Sequence, residues 1–317
     1  MRSGSTVHEA GRAPVVVGYD GSAGSRRAVR WAAHEAAARG TGLRVVVAAD
    51  DPGVPGTRRT ATRLAPLRLG DGHEALAEAV ALAEACSRGV TRGGLVRSGQ
   101  PGGVLVDQSH TAQLVVVGCR GRTALPASES STSLITASRA ACPVVVVRGR
   151  VDAPTLDPVV VGVGVGEPVA TTVAYAAGIA TRAPSPLVLA CGWSQDAGSL
   201  SRVPRPVPDR SGSLATVVRD VQAQAGRSLQ RAAELAHRLA PGVSVRTELL
   251  DTRAERALEG LSWGASLVVV GRGGTGPFPG LPLGRVTRSV LEHAGCPVVV
   301  VPPEPREDEP REDGARA

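Results

Sequence analysis

The chain has 317 residues, enough for two domains of ordinary size, with 42% apolar but only 2% aromatic residues. A core must therefore be built from Val, Leu and Ala, which suits a parallel sheet covered on both faces, and base-stacking surfaces for nucleic acid are excluded. The formal charge is +7, carried by 36 basic residues that are all arginine. They are scattered without a basic run, so a codon preference for Arg and Ala explains them better than a nucleic-acid patch does.

Met1–Ala13 is polar and is expected to be disordered. The first strand is Pro14–Gly18, followed by an Ala-rich helix over Ser25–Arg39 with Val29, Trp31 and Ala32 as its inner stripe. A strand at Leu43–Ala49 leads into a loop, Asp51–Gly72, and then a helix at Glu74–Ser87. A weaker strand near Leu95–Ser98, a helix at Gly103–His110, and a strand at Leu114–Gly118 come next. A helix at Ser131–Ala140 and a strand at Val144–Val147, after Cys142-Pro143, close the first half. The linker is 150–157. The second half repeats the order from Pro158–Gly162 through Leu187–Cys191, a Pro-rich loop at Ser194–Ser213 and a helix at Thr216–Leu239. It continues with Val243–Leu249, a helix at Ala254–Trp263 and a strand at Leu267–Gly271. It ends with a helix at Arg285–His293 and the strand Val298–Val301, after Cys296-Pro297. The charged, Pro-rich tail 303–317 is expected to be disordered.

The second copy starts at Val159 where the first starts at Val15, a period of about 150 residues that marks a duplicated domain and not a solenoid. The expected domains are 14–149 and 158–302, and alternating strands and helices predict right-handed crossovers and two doubly wound α/β sheets. Five cysteines without a CxxC pair argue against a zinc site. Their odd number, with no apolar leader, points to a reducing cytoplasm, and no apolar run approaches the roughly 18 residues of a membrane span.

Two constellations carry chemistry. In a doubly wound sheet ligands bind beyond the carboxyl ends of the strands at the switch point. Gly18-Tyr19-Asp20-Gly21-Ser22 falls there, and its Asp can hold a ribose or adenine edge or can simply cap the next helix. Gly118-Cys119-Arg120-Gly121 follows the fourth strand, and its backbone amides can point at phosphate oxygens. Ser130, Ser131, Thr132 and Ser133 open the following helix, whose hydroxyls and amides can receive the same phosphates or serve as an ordinary cap. Cys119 lies inside that loop, where a lowered thiol pKa is the less favoured reading. The histidines have no Ser or Cys nucleophile beside them in a recognisable arrangement. The missing lysine argues against a Walker-type ATPase.

These residues resemble a tandem universal stress protein of the UspA type. The resemblance rests on Val15–Ser22, Gly99–Pro101, Leu114–Arg122 and Ala141–Val147 in the first copy, and on Leu267–Gly274, Leu281–Gly284 and Gly295–Val301 in the second. It covers nearly all the chain except the tail and the two loops. It implies a Rossmann-like fold, similar to adenine nucleotide alpha hydrolases, with a five-stranded parallel sheet of order 3-2-1-4-5 in each domain. It also implies ATP as ligand, with Mg as its companion ion. By the resemblance Gly18, Tyr19 and Asp20 contact the nucleoside, Ala48 lines the adenine side, and Gly118, Arg120 and Gly121 wrap the phosphates. Ser131, Thr132 and Ser133 stand where the family motif has its final glycine and hydroxyl.

The pattern departs from the family in both copies. Ser131 replaces the last glycine in the first. The second keeps Gly271, Gly274 and Gly284 at the same spacing, but Arg285 replaces the hydroxyl residue and Gly164 stands where Asp20 does. Copy one is therefore expected to hold nucleotide better. A nucleotide-binding stress regulator, a non-nucleotide scaffold of the same fold, and an ATPase or nucleotidyl transferase remain the three readings. The enzyme is disfavoured because no general base or metal-binding carboxylate pair is evident. The resemblance further implies that the last strands, Val144–Val147 and Val298–Val301, pair across an intramolecular pseudo-dimer. A homodimer beyond that has no handle in the sequence. Neither a membrane nor a nucleic acid is an expected partner.

Overall fold

Runs of valine with no polar alternation need cover on both faces, and the structure supplies it. The computed structural model describes residues 13–50, 67–119, 131–151, 157–165, 169–183, 185–194, 214–273 and 283–304. In copy one, β1 (Val15–Gly18), β2 (Leu43–Asp50), β4 (Thr91–Ser98), β5 (Leu114–Gly118) and β6 (Val144–Val147) lie in the order β4-β2-β1-β5-β6, all parallel. A two-residue strand β3 (Leu67–Arg68) also pairs with the end of β2. In copy two, β7 (Val159–Gly162), β8 (Leu187–Trp193), β9 (Val245–Asp251), β10 (Leu267–Gly271) and β11 (Val298–Val301) repeat the order as β9-β8-β7-β10-β11. Each copy thus has the expected 3-2-1-4-5 arrangement.

The faces alternate residue by residue along β1. Val15 and Val17 join the cluster under α1 (Ala23–Ala38) and α2 (Leu69–Cys86). Val16 joins the cluster under α3 (Pro101–Ser109) and α4 (Thr132–Arg139). In copy two, α5 (Ala170–Arg182) and α6 (Leu214–Leu239) cover the first face, while α7 (Ala254–Ser262) and α8 (Arg285–His293) cover the second. Each fully buried valine contributes about 1.5–3 kcal/mol relative to exposure. Among the described residues no helix is long and apolar enough to cross a membrane.

The expected loop Asp51–Gly72 is shorter than the sequence suggests, because α2 begins at Leu69. Gly70 and Gly72 hide this start from a propensity reading. A Cβ on Gly72 would come 3.0 Å from Val96 and 3.3 Å from Ala49, so the first turn of α2 lies close against the sheet. Likewise β4 begins at Thr91 instead of near Leu95, despite Gly93 and Gly94. Residues 51–66, residues 195–213 of the second expected loop, residues 152–156 of the expected linker, and residues 1–12 and 305–317 lie outside the described residues.

The two copies join in one sheet. β6 and β11 pair antiparallel, with Val144, Val145 and Val146 opposite Val300, Val299 and Val298, and every residue of both strands is buried. Neither strand is left as an open edge. The seam is reinforced by polar groups. Buried Arg148 donates through Nη1 to the carbonyls of Val290 (3.2 Å) and Leu291 (2.6 Å), in the last turn of α8. The Val290 carbonyl also accepts the Ala294 amide at 3.0 Å, and a cation suits that end of the helix dipole. Arg272 does the same in the opposite direction, donating to the carbonyl of Ala140 at the end of α4. Gly149 has φ +57°, and a Cβ there would meet the Gly295 carbonyl oxygen at 1.9 Å, so only glycine lets the chain cross that loop.

A second polar seam joins α1 to α5. Arg39 donates to the hydroxyl of Tyr175 at 2.9 Å and to Glu35 at 2.6 Å, and Arg182 reaches the same Glu35 at 3.2 Å. Burial pushes the Tyr175 phenol up to about 12, so it stays neutral as the acceptor.

Candidate functional site at the switch point

In copy one the chain leaves β1 as a tight turn that also caps α1. Ser22 is the N-cap, with φ −74° and ψ 160°, and its Oγ accepts the Ser25 amide at 3.1 Å. Asp20 Oδ1 accepts the Ser22 amide at 3.0 Å, and the Asp20 amide faces Ser25 Oγ at 3.4 Å. The carboxylate is thus held near the positive end of α1, half-buried, in a turn that supports the cap, while Ser22 fills the capping role itself. Tyr19 donates its amide to Val46 at 2.9 Å and is 4% exposed. Its ring lies in the core under α1 and α2, where the hydroxyl accepts from Arg26 Nε at 3.4 Å and burial raises the phenol's pKa. Tyr19 therefore supports the turn from beneath. Ala48 is half-buried on β2, on the same face as Val46.

Gly118 ends β5 beside Gly18's strand. A Cβ on Gly118 would lie 2.5 Å from the Gly24 carbonyl carbon and 2.8 Å from the Ser25 amide. The glycine lets β5 touch the first turn of α1, which brings the Asp20 turn against the start of the phosphate loop. Arg120 and Gly121 lie outside the described residues. At the far end of the loop, Ser131 is the N-cap of α4, yet its side chain makes no hydrogen bond to the helix amides. Its Oγ instead pairs with Ser133 Oγ at 3.0 Å. Thr132 opens the helix and gives its carbonyl to the Thr136 hydroxyl at 2.7 Å. Among the described residues, the first-turn amides of α4 are thus not covered by the N-cap side chain, an arrangement that suits an anion.

Copy two repeats the backbone and changes the chemistry. Val163 donates to Ala190 at 2.9 Å as Tyr19 does to Val46, and Gly164 follows without a carboxylate. Gly271 is less crowded than Gly118, since a Cβ there would meet only Thr172 Oγ1 at 3.4 Å and the Gly273 amide at 4.0 Å. The Gly284 amide donates to the Arg272 carbonyl at 3.0 Å, and the Thr287 hydroxyl donates to the Gly271 carbonyl at 2.8 Å. Gly274 lies outside the described residues. Arg285 reaches into an ion pair with Glu255 at 3.2 Å, so its charge is already engaged. Sequence reasoning included Ser22 in the turn but missed Ser25 and Glu255 as parts of these sites. The N-cap spacing from Ser22 into an Ala-rich helix was the available signal for Ser25. Nothing local marks Glu255, which arrives from α7.

A doubly wound sheet that occurs twice, with a helix opening beyond the fourth strand of each copy, defines a tandem α/β protein with a candidate ligand crevice at each switch point. The sequence profile described as the Universal stress protein family matches residues 12–148 and again 155–302. The chain belongs to that family, as two copies of its domain. It is 35% identical to Universal stress protein Rv2005c of Mycobacterium tuberculosis over 302 residues, covering 90% of this chain and 96% of the relative. Its fold is similar to a crystal structure of a universal stress protein from Archaeoglobus fulgidus, at 15% identity and a TM-score of 0.62, covering 92% of this chain and 97% of the other. A universal stress protein solved in complex with cAMP matches one copy, at 26% identity and a TM-score of 0.33, covering 44% of this chain and 98% of its own.

Proposed function

We propose that the protein is a nucleotide-binding regulator of stress adaptation, with ATP held in copy one and copy two serving mainly as its structural partner. The observation that carries this reading is the junction at Gly118. There the end of β5 abuts the α1 turn bearing Asp20, while α4 presents a first turn without a side-chain cap. Bound there, ATP would supply a triphosphate for the amides of α4 and a ribose for Asp20. Among the described residues no group of three His, Cys, Asp or Glu could hold a metal, so Mg would arrive on the nucleotide's phosphates. Regulation without turnover is part of this reading, as is a reducing cytoplasm, which fits five free cysteines.

The test is an equilibrium titration of the full chain with ATP. Saturable binding that Asp20→Ala weakens about tenfold, with Gly164→Asp leaving copy one unchanged, supports the reading. The absence of binding at millimolar ATP refutes it. One observation favours a scaffold instead: the Asp20 carboxylate already serves the turn through Ser22. On that reading Asp20→Ala lowers stability and leaves ligand titrations flat.

A further inference from the structure

The arginines are not scattered everywhere. Arg44, Arg92 and Arg97 line one cleft of about 420 Å³ on copy one, and no carboxylate joins them in its lining. Arg44 and Arg97 project from the same sheet face, because Arg97 stands opposite Ala48 on β2 and Arg44 lies four residues earlier on that strand. The floor is Gly93, Gly94 and Leu95 of the edge strand β4. The wall is the end of α3, where Arg44 Nη1 donates to Gln108 Oε1 and Thr111 Oγ1, each at 3.4 Å. Those bonds aim one guanidinium into the cleft. Arg92 is held by its stem, which lies over Gly42 so closely that a Cβ there would come 1.9 Å from Arg92 Cγ. Among the described residues none of the three arginines has an ion-pair partner, whereas Arg26, Arg39, Arg150, Arg182, Arg285 and Arg288 do.

Copy two shows that the fold does not require this. By strand register Arg44 corresponds to Val188 and Arg97 to Leu250, and by helix position Gln108 corresponds to Leu261. Only Arg92 has a basic counterpart, Arg246. The cleft runs along the strands: α3 returns antiparallel to them, so its Gln108 end and Arg44 sit toward the amino-terminal edge of the sheet, away from Asp20, while Arg97, opposite Ala48, stands nearer the carboxyl ends.

We propose that this cleft binds a small, multiply charged phosphate compound. Three like charges around a dished floor are held together most favourably by an oxyanion, and guanidinium forks match phosphate oxygens two at a time. Charge on an edge strand also deters stray strand pairing. That role asks for charge along the strand and not for Arg44, which sits one strand inward and is aimed by two hydrogen bonds.

The experiment uses the full chain, and the arginine variants separate this cleft from the switch-point site, because none of the three belongs to the Asp20 turn or to the first turn of α4. Inorganic tripolyphosphate is titrated calorimetrically at low ionic strength, beside ATP with the same three phosphates and a single-stranded oligonucleotide. Saturable tripolyphosphate binding is expected. Arg44→Gln and Arg97→Gln should each weaken it about tenfold to a hundredfold, the loss of one charge-assisted contact. Arg92→Met, which keeps the stem over Gly42, should weaken it while leaving the unfolding midpoint unchanged. Affinity should fall steeply with added salt. Tighter binding of ATP than of tripolyphosphate, lost in the same variants, assigns the phosphate to a nucleotide; equal binding assigns it to the free polyanion. No saturable binding at millimolar tripolyphosphate overturns the proposal, as does binding that survives the triple variant. An oligonucleotide that binds far more tightly than either small ligand, through the same arginines, overturns the assignment to a small molecule.

Discussion

A single methyl group, added at the same place in each copy, should separate the two sites. At Gly118 the new Cβ would fall 2.5 Å from the Gly24 carbonyl carbon, 2.7 Å from its oxygen and 2.8 Å from the Ser25 amide. All three are backbone atoms of the first turn of α1, so no side chain can rotate away. Gly118 is not among the positive-φ glycines, and the effect of Gly118→Ala is therefore steric and not a matter of backbone strain. Relief requires the end of β5 and the start of α1 to separate by roughly 1 Å, which pulls on the Ser22–Ser25 cap. Overpacking of this kind costs about 1–3 kcal/mol. A weakened cap adds up to about 1 kcal/mol, while the stiffer unfolded chain returns about 0.4–1 kcal/mol. The net expectation is a loss of about 1–3 kcal/mol. At Gly271 the same methyl meets Thr172 Oγ1 at 3.4 Å, an ordinary contact, so Gly271→Ala should change stability by no more than about 0.5 kcal/mol. Urea unfolding of both variants, followed by circular dichroism, measures the difference, and ATP titration should show weaker binding for Gly118→Ala alone. Equal losses in the two variants, or a neutral Gly118→Ala, would refute the close approach of β5 to α1.

Other outcomes follow from the seam and the buried thiols. Arg148→Met removes the donors to Val290 and Leu291 and should cost about 2–3 kcal/mol, with faster amide exchange in the last turn of α8. Unchanged exchange there would count against the capping role. Tyr175→Phe removes the acceptor that Arg39 uses at 2.9 Å and should cost about 1–3 kcal/mol in urea unfolding, because it leaves a largely buried guanidinium short of a partner. Burial pushes the Cys296 thiol from its ordinary 9.0 to about 12 and the Cys142 thiol to about 11. A raised pKa means that the unfolded chain gives up these protons first. Stability should hold below about pH 9 and fall between pH 9 and 12, approaching about 1.4 kcal/mol per pH unit for each thiol. Cys296→Ala should flatten that alkaline slope, and an unchanged slope from pH 8.5 to 10.5 would overturn the assignment.

Most of the sheet was legible because its strands announce themselves. Four runs of Val-Val-Val-Gly and two of Val-Val-Val-Val, without polar alternation, have no stable place except between two helical layers. What the sequence obscured lies at glycines that look like breaks and are in fact close approaches. Gly72 reads as loop but lies in α2 against Val96, and Gly93-Gly94 falls before the strand expected near Leu95 but lies in β4. Gly118 shows the same ambiguity at the site. Its sequence context suggests backbone offered to a phosphate, yet the nearest group to its missing Cβ is α1 itself. Tyr19 sits two residues beyond β1's last buried valine, beside the expected ligand loop, but strand alternation carries it to the α1 side. Arg148 and Arg272 could not be read at all as seam residues, since each finds its carbonyls more than a hundred positions away.

The seam explains why the copies can share a fold and differ in chemistry. The groups that hold them together are Val144–Val147, Val298–Val301, Arg148 and Arg272, and none belongs to the candidate nucleoside contacts. Ser109 and Ser262 repeat the logic within each copy, accepting the Ala141 and Gly295 amides at 2.8 Å just before the last strands. Copy two can therefore lose the carboxylate after its first strand without loosening the joint. The joint is nevertheless not remote from the sites. α4 carries Ser131–Ser133 at one end and meets Arg272 of copy two at the other, while α8 carries Arg285 at one end and meets Arg148 of copy one at the other. Arg272 in turn follows Gly271 directly, at the head of copy two's own glycine loop. The two helices that open toward the candidate sites, α4 and α8, are thus also the two whose ends anchor the joint.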